Sequence, residues 1–394
     1  MAYLYGRSTG ELRLQARVYH DGEDRSVIYF KLRTRDLLYR GAGEGTAFRS
    51  NVRISYAALP TYGSKTILDS ASTLVRDSST EPHPDKELIG TINIARRPDR
   101  AFVLRITAHD LNRDLATSLM VNVPAGPHAD RLYYLTLDTL GYPLFDDHLA
   151  RPNTVVVRCE RLAGRTLHGA WFNAEAPLPA PVFSTAPRAS AAPKPDSTFQ
   201  VLVDAEGHFR FTTGDRGFYH FRADTTYMEG LTLFVLRESY PEVRNAKAML
   251  PPLRYITSMQ EYDGMRKAPD PRKALERFWQ DAAGDRERAR ELIRTYYMRV
   301  ENANRHFTAH CEGWKTDRGL VHMIFGTPNV IYRNDRNETW IYGEETNLMS
   351  LTFNFVKREN PFTDNDMVLE RDPQLKGAWY RNVESWRNGR IFQN

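Results

Sequence analysis

The stretch Cys311-Glu-Gly-Trp-Lys-Thr-Asp-Arg-Gly-Leu320 stands between two strongly patterned segments of the sequence. It combines an aromatic ring, an acid, a cation, a thiol and glycine within one short string. Such a set can form an active site, a metal site or a corner that turns the chain. The flanking patterns bear on this choice, because they indicate which elements the stretch has to join.

The residues before this stretch predict two helices. From Asp285 to Phe307, apolar residues recur at i, i+3, i+4 and i+7, which is the period of an amphipathic helix. Asp285 is its expected N-cap. Directly before the segment PRKALERFWQDA, Asp270 is the expected N-cap, and Pro271 occupies the first helical position, so a second helix begins there.

The residues after the stretch predict an antiparallel β-meander. The strings GLVHMIFG, NVIYR, ETWIYGE and SLTFNFV are each short, apolar and bounded by turn residues such as Gly326-Thr-Pro328. Five of the six tryptophans, at positions 279, 314, 340, 379 and 386, lie in the predicted helices, the opening stretch and the residues after it. Because tryptophan buries a large area, this density suits a compact α+β unit, predicted over residues 239–394.

Upstream of this unit the sequence predicts β-structure. Strings such as ELRLQARVYH, SVIYFKLR and AFVLRITAH alternate apolar and polar residues, and turn residues separate them. This spacing predicts two all-β, immunoglobulin-like sandwiches, over residues 1–125 and 126–238. The proline-rich residues 177–195 cannot donate regular ladder hydrogen bonds, so we expect an exposed, polyproline-like loop within the second sandwich.

Asp215-Arg-Gly217-Phe-Tyr219 has the form of a tyrosine corner. In immunoglobulin-like sandwiches this tyrosine opens a late strand and its hydroxyl bonds to the backbone a few residues upstream. The string therefore supports a sandwich fold for the second unit and carries no information about a ligand.

Composition and charge exclude several classes of protein. The net charge is +5, but basic and acidic residues are mixed along the chain, which argues against a nucleic-acid surface. The sequence has neither a window apolar enough to span a bilayer nor a signal peptide at its start. The two cysteines fall in different predicted domains, so a disulfide framework is excluded.

A metal site has weak candidates in His306, His310 and Cys311, with His322 downstream. The two histidines are four residues apart and would share one face of a helix. The set lacks the HExxH and CxxC spacings of zinc sites, however. We therefore predict no metal and no cofactor, and regard Cys311 as a buried thiol rather than a nucleophile.

The residue types of the opening stretch fit a structural corner. Gly313 and Gly319 are expected to supply positive φ, and Trp314 to pack under the turn between helix and sheet. Thr316 or Asp317 would accept backbone N–H groups.

In the same corner Arg318 would pair with a carboxylate. The alternative is a carbohydrate-binding or hydrolytic site around Trp314 and Asp317. Further aromatic residues of the meander would complete it, at Tyr332, Trp340 and Tyr342.

The string Gly313-Trp-Lys-Thr-Asp317-Arg-Gly319 resembles the signature of the GWxTD domain, a family found in exported proteins of Bacteroidota and related bacteria. RFWQDA, YYMRVENANRHF and ETWIY follow the same domain in the expected order, and Gly326-Thr-Pro328 stands where Gly-Pro-Pro is common. The resemblance covers residues 253–394. It marks as signature residues, with an expected structural role, Gly313, Trp314, Thr316, Asp317, Arg318, Gly319, Gly326 and Pro328.

The resemblance implies no enzymatic activity for any of these positions. It implies an exported protein of the periplasm, outer membrane or cell surface. We therefore expect a non-catalytic structural or binding protein of the bacterial cell envelope, in which the GWxTD unit acts as a protein-docking module. Its expected partners are other envelope proteins or glycans.

Overall fold

The structure is a computed structural model that describes residues 12–41, 43, 47–149, 153–173, 175–186 and 193–390. The ends of the predicted domains at residues 1 and 394, and positions 187–192 of the proline-rich loop, lie outside the described residues. β-Sheets make up the N-terminal part of the chain, and helices with a further sheet make up the C-terminal part. The predicted order, all-β followed by α+β, is confirmed.

The first β-unit pairs two antiparallel sheets. One has the order β1-β2-β6. The other has the order β3-β4-β7-β8, and β5 also belongs to it, because β5 pairs antiparallel with β4. Fully buried apolar residues such as Ile28, Leu32, Ile54 and Leu104 fill the space between them. The strands are β1 (Leu14–His20), β2 (Arg25–Arg33), β3 (Arg40–Gly41), β4 (Phe48–Leu59), β5 (Asp69–Ser79), β6 (Glu87–Ala95), β7 (Phe102–Asp110) and β8 (Leu115–Val123).

The second β-unit is built in the same way. Its sheets have the orders β14-β11-β9 and β10-β16-β15-β12-β13, and β10 runs parallel to β16. Val155, Val157, Leu167 and Phe221 are fully buried between the sheets. The strands are β9 (Leu135–Leu137), β10 (His148–Leu149), β11 (Thr154–Arg158), β12 (Thr166–Phe172), β13 (Ser197–Leu202), β14 (His208–Thr212), β15 (Gly217–Arg222) and β16 (Leu231–Val235).

The C-terminal unit packs helices against one four-stranded antiparallel sheet with the order β17-β18-β19-β20. The helices are α1 (Ala246–Met249), α2 (Met259–Lys267), α3 (Pro271–Ala283), α4 (Arg286–Phe307), α5 (Asp317–Phe325) and α6 (Lys376–Arg387). The strands are β17 (Val330–Arg333), β18 (Asn337–Tyr342), β19 (Leu351–Lys357) and β20 (Met367–Leu369). One apolar cluster joins the helices to the inner face of the sheet.

The two predicted helix starts are confirmed. The Asp270 side chain accepts from the N–H groups of Arg272 and Lys273 at the start of α3. Asp285 accepts from Arg288 N at the start of α4. Each carboxylate satisfies backbone donors that have no partner within the helix, so these caps fix where the helices begin.

The segment GLVHMIFG was predicted to be a strand, and this is wrong: it forms α5. All nine residues of α5 are buried, so the segment is apolar on every side and shows no amphipathic period. Such a run cannot be assigned to strand or helix from its pattern alone. The capping Thr316 and the acidic Asp317 at its start were the local features that indicated a helix.

The proline-rich segment was expected to be an exposed loop within the second β-unit. Instead residues 175–186, here called the proline strap, cross to the C-terminal unit. Val182 of the strap is fully buried in the apolar cluster of that unit. Asp372 N donates to Val182 O at 3.1 Å, and the ring of Phe183 lies 5.6 Å from that of Tyr380. The strap therefore belongs to the core that it covers.

Among the described residues, none of the helices has both the length and the apolar composition that crossing a bilayer requires.

Candidate functional site

The signature string lies at the junction of α4, α5 and the sheet. Gly313–Lys315 form a short 3₁₀ helix, and α5 begins at Asp317 directly after it. Gly313, Trp314, Asp317, Arg318 and Gly319 are all buried. The string is therefore an internal joint between helices, and the reasons for its residue types are found in its contacts.

Gly313 and Gly319 allow close contacts between the backbones of the 3₁₀ turn, α4 and α5. The expectation of positive φ at these positions is wrong, because neither residue has such a conformation. A Cβ on Gly313 would lie 1.9 Å from Ala303 O in α4. A Cβ on Gly319 would lie 2.0 Å from Gly313 O. No side chain fits at either place, so both glycines set the distance between the 3₁₀ turn and the two helices.

Trp314 is 2% exposed and is bonded at both its backbone and its ring. Its indole N–H donates to Glu312 Oε2 at 3.1 Å, and its backbone N–H donates to Asn304 Oδ1 at 3.3 Å. The ring of Tyr255 meets the indole edge-on at 5.8 Å. Since Asn304 belongs to α4, the tryptophan fastens the turn to the long helix rather than to the sheet.

Thr316 caps α5 in the expected manner. Its Oγ1 accepts from Gly319 N at 3.0 Å and donates to Gly313 O at 2.7 Å. The hydroxyl therefore serves the N-terminus of the helix and the carbonyl of the preceding turn at once.

Asp317 joins α5 to the far edge of the sheet. It is 1% exposed, and its Oδ2 accepts from Leu369 N in β20 at 2.8 Å. Arg371 donates from Nη2 to Oδ1 at 2.7 Å and from Nη1 to Oδ2 at 3.3 Å. The same guanidinium donates to the carbonyls of Ala180 and Pro181 in the proline strap. One buried carboxylate thus organises a helix, a strand and the strap.

Arg318 points in another direction, toward β18. Its Nη1 donates to Glu338 Oε2 at 3.1 Å, and its Nη2 donates to Asn365 O at 2.9 Å. The guanidinium carbon lies 5.0 Å from the centre of the Phe307 ring. Arg318 and Glu338 are 1% and 0% exposed, so this is a buried ion pair with further hydrogen bonds.

The C-terminus of α5 is closed by Arg299 of α4. Its Nη1 donates to Met323 O and Ile324 O, both at 3.2 Å, which places a cation at the negative end of the helix dipole. Burial lowers the pKa of Arg299 to about 10, so it remains charged at neutral pH. Gly326 has φ 85°, and a Cβ there would lie 2.8 Å from Arg299 Nη2. Pro328, which is also buried, follows and ends the corner.

Glu312, immediately before the signature, ties the C-terminal unit to the second β-unit. Its Oε1 lies 2.8 Å from Arg237 Nε and 3.4 Å from Arg216 Nη2, and Lys315 Nζ lies 3.2 Å from Oε2. Burial acts to raise the pKa of Glu312, but the three cations outweigh it and the pKa is lowered. The carboxylate is therefore charged at neutral pH and shared between the two units.

Aromatic packing strengthens the same junction. Phe362, from the loop between β19 and β20, inserts against the five-stranded sheet, with its ring 5.1 Å from that of Phe172 and 4.8 Å from that of Phe218. Tyr240 Oη donates to Asn304 O at 3.0 Å and accepts from Gly313 N at 3.3 Å. The signature turn is thus bonded directly to the segment that leaves the second β-unit.

Comparison with protein families bears directly on this joint. Residues 217–388 match the model described as the GWxTD domain. The chain contains a GWxTD domain. A search of curated proteins returns no match. The match begins at Gly217, inside the second β-unit and upstream of the predicted boundary at 239. The contacts of Glu312 with Arg237, and of Tyr240 with Gly313, show why the GWxTD domain extends into that unit.

The tyrosine corner lies at the start of the region that matches the GWxTD domain. Tyr219 Oη donates to Asp215 O at 3.1 Å and accepts from Gly214 N at 3.1 Å. Gly217 has φ 148°, and a Cβ there would lie 2.1 Å from Phe172 O in the neighbouring strand. Asp215, Gly217 and Tyr219 therefore turn the chain into β15 and have a structural role.

The weak metal candidates do not come together as a site in the GWxTD domain. Among the described residues there is no group of three or more His, Cys, Asp or Glu side chains that could hold a metal ion. His310 Nδ1 lies 3.1 Å from Asn360 Nδ2, and Cys311 is a buried thiol. Burial lowers the pKa of His306 to about 4 and that of His322 to about 3, so both are neutral at pH 7.

Sequence reasoning identified the signature residues of the GWxTD domain but missed their partners. Arg371, Glu338, Asn365 and Arg299 lie 20 or more positions away from the residues they serve. Only Glu312, two residues before Trp314, had a local indication, because an acid beside a buried indole can accept its N–H. The others required the fold.

Proposed function

We propose that this chain is a non-catalytic structural or binding protein of the bacterial cell envelope, with its GWxTD domain acting as a protein-docking module. The observation that carries the proposal is that the signature side chains are buried and make their polar contacts within the protein. Trp314, Asp317 and Arg318 are each at most 2% exposed, and the indole N–H, the carboxylate and the two terminal nitrogens of the guanidinium bond to the protein itself. A catalytic acid or cation has to reach a substrate, and these groups cannot.

The alternative, a carbohydrate-binding or hydrolytic site around Trp314 and Asp317, loses its physical basis. A sugar stacks on an open ring face, but the rings of Trp314, Trp340 and Tyr342 are 2%, 0% and 3% exposed. Tyr332 remains exposed, at 54%. Any glycan would have to bind on the outer face of the sheet, well apart from the signature.

We propose further that both β-units are immunoglobulin-like. In such sandwiches one sheet carries strands A, B and E and the other carries C, F and G, to which variable-type domains add C′. The first unit has the orders β1-β2-β6 and β5-β4-β7-β8, which correspond to A-B-E and C′-C-F-G. The second has β9-β11-β14 and β13-β12-β15-β16, the same arrangement. Its tyrosine corner stands at strand F, as the family geometry requires.

The contacts between the units support a role for the sandwiches as spacers that present the GWxTD domain. Arg17 of the first unit lies 2.6 Å from Asp147 of the second, and Arg158 of the second lies 5.4 Å from the Tyr19 ring of the first. Glu312 and Phe362 link the second unit to the C-terminal unit. Units joined by ion pairs and packed rings keep a fixed relation, which suits a scaffold.

The test is affinity capture with the full chain as immobilised bait on detergent extracts of cell envelopes. We expect a small set of envelope proteins that free native chain displaces and albumin does not, followed by binding of the purified candidate. Cell fractionation should place the native protein in the envelope fraction. Recovery in the cytosol, or capture that free chain fails to displace, would count against the proposal.

The alternative is tested separately on a glycan array. Binding of the native chain that disappears in Tyr332→Ala, with unchanged thermal unfolding, would favour the carbohydrate hypothesis over protein docking.

A further inference from the structure

The GWxTD domain carries an open apolar groove between the proline strap and α6. The groove has a volume of about 760 Å³. Apolar side chains from the strap, from residues 254–258 before α2, and from α6 line it, including those of Pro179, Ile256, Trp379, Tyr380 and Val383. Tyr380 is 54% exposed, so an aromatic face is available in the groove to a partner. An apolar groove with polar residues at its rim is a surface on which a protein partner can dock.

The rim of this groove is positively charged. Its lining includes Arg254, Arg381 and Arg387 against a single acid, Glu384. Arg387 is held by both carboxylate oxygens of Glu261, and Arg254 donates to Thr257 O. Arg381 is exposed and has no ion-pair partner within the part of the chain that the structure describes. The occupant that fits is therefore apolar at its centre and acidic at its edge.

The same chain displays a segment with this chemistry. Residues 343–350, here called the acidic loop, connect β18 to β19 and contain Glu344 and Glu345 with no basic residue. Leu348 is fully exposed and Met349 is 86% exposed. Few large apolar side chains in the described residues extend so far into solvent, and these two are adjacent.

Hydrogen bonds within the acidic loop support its conformation. Ser350 Oγ donates to Glu344 O at 2.7 Å, and Ser350 N donates to Asn347 O at 3.0 Å. Met349 N donates to Asn347 Oδ1 at 2.9 Å. Because the loop is already ordered, it would lose little conformational entropy on binding.

We propose that Leu348 and Met349 of one copy enter the groove of a second copy, with Glu344 facing Arg381. The contact joins two different surfaces, so it is heterologous and either closes into a ring or continues as an open chain of subunits. This deepens the proposed docking function and rests on it, because it names one surface and one partner for the GWxTD domain.

The first experiment measures the mass of the full chain by light scattering over a concentration series up to roughly 1 mM. We expect mass to rise with concentration and the rise to weaken by about tenfold or more in Leu348→Ser and in Tyr380→Glu. Leu140→Ser is the matched control, because Leu140 is 81% exposed on a different loop and should leave association unchanged.

The second experiment exchanges the charges. Glu344→Arg and Arg381→Glu are each expected to weaken association, and the double variant is expected to restore it, since the pair is then reversed. Restoration separates a direct contact from a loss of folding, because two damaging changes to the fold would not cancel. Failure of the double variant to recover would overturn the pairing.

Two further outcomes overturn the proposal. One is a native chain that stays monomeric throughout the series. The other is a monomeric chain whose groove binds an added peptide with the sequence of residues 343–350, which would assign the groove to an acidic segment of another protein. A monomer that still captures an envelope partner would leave the proposed docking function standing while removing the second copy from it.

Discussion

Arg371 holds both carboxylate oxygens of Asp317, with Nη2 2.7 Å from Oδ1 and Nη1 3.3 Å from Oδ2. The guanidinium also reaches Ala180 O at 3.0 Å, in a segment far upstream. The aspartate of the signature is therefore important because it orients a cation that binds the strap. The measurements that test this role use tryptophan fluorescence, since five of the six tryptophans lie in the GWxTD domain.

Asp317→Ala should destabilise the GWxTD domain by about 3–5 kcal/mol, because it leaves the Arg371 cation and Leu369 N without their buried partner. Guanidinium unfolding followed by fluorescence measures the loss. Asp263→Ala, which removes a surface pair with Arg266, is the control and should change stability by less than about 1 kcal/mol. Equal stability of the two variants would contradict the role assigned to Asp317.

Gly319→Ala should cost about 3 kcal/mol or more, because the new methyl group would lie 2.0 Å from Gly313 O. Gly264→Ala is the matched control: it lies in the exposed part of α2, and a Cβ there meets nothing within 4 Å. Alanine at position 264 should stabilise by about 0.5–1 kcal/mol. In thermal unfolding, the melting temperature should fall in Gly319→Ala and rise in Gly264→Ala. An unchanged melting temperature in Gly319→Ala would show that the backbones do not approach as closely as described.

Arg237→Ala should weaken the junction of the second β-unit and the C-terminal unit by about 3 kcal/mol, since it leaves the buried Glu312 carboxylate poorly compensated. Arg216 is farther from the same carboxylate and is 48% exposed, so Arg216→Ala should cost less than about 1 kcal/mol. The two variants are compared by the rate at which protease cleaves residues 236–245 and by their unfolding midpoints. An effect of Arg216→Ala as large as that of Arg237→Ala would contradict this ranking.

Acid should destabilise the fold through its buried histidines. Burial lowers the pKa of His322 from 6.5 to about 3, with a further lowering from Arg299 and His306. Between these pH values the unfolded chain binds a proton that the folded chain resists, so stability is complete above pH 6.5 and falls toward pH 3. The loss for one such group is about 1.4 kcal/mol per pH unit.

His322→Leu removes this group and should reduce the stability lost between pH 7 and pH 5 by about 2 kcal/mol. Unfolding midpoints at the two pH values give the comparison. The exposed His83→Leu serves as the control and should follow the native chain. An unchanged pH dependence in His322→Leu would show that other groups cause the acid sensitivity.

A fragment of residues 239–394 should fold poorly, whereas residues 126–394 should fold as the full chain does. The shorter fragment lacks Val182 from the core and both arginines that pair with Glu312, and it leaves Phe362 without its pocket. Fluorescence and proteolysis compare the two fragments. Cooperative unfolding of residues 239–394 at the midpoint of the full chain would contradict this view of the boundary.

Local chemistry made a large part of the fold predictable. Asp270 and Asp285 cap helices within three residues of themselves, and strands such as β7 alternate clearly, so these elements could be placed from the sequence. Strand β5 was missed because its mostly polar, exposed residues give a weak pattern at the edge of the sheet. Helix α5 was assigned to the wrong class because burial on all sides removes its period.

In the candidate site, only the contacts between residues close in sequence were predictable. The cap of Thr316 on Gly319 spans three residues, and its chemistry is visible in the string. The pairing of Asp317 with Arg371, and of Arg318 with Glu338, depends on how β18 and β20 come to lie beside α5. The burial of Val182 was hidden for the same reason, since six prolines around it indicated an exposed loop.

The burial of Val182 affects the order in which the protein can fold during synthesis. Val182 leaves the ribosome before every helix and strand of the core that will enclose it, and the last of these, α6, ends at Arg387. The second β-unit can pair its strands while translation continues, but the strap between β12 and β13 must wait until α6 is synthesised. During that interval Val182 is without its core and open to chaperones, so the synthesis of α6 is the step that allows this core to close.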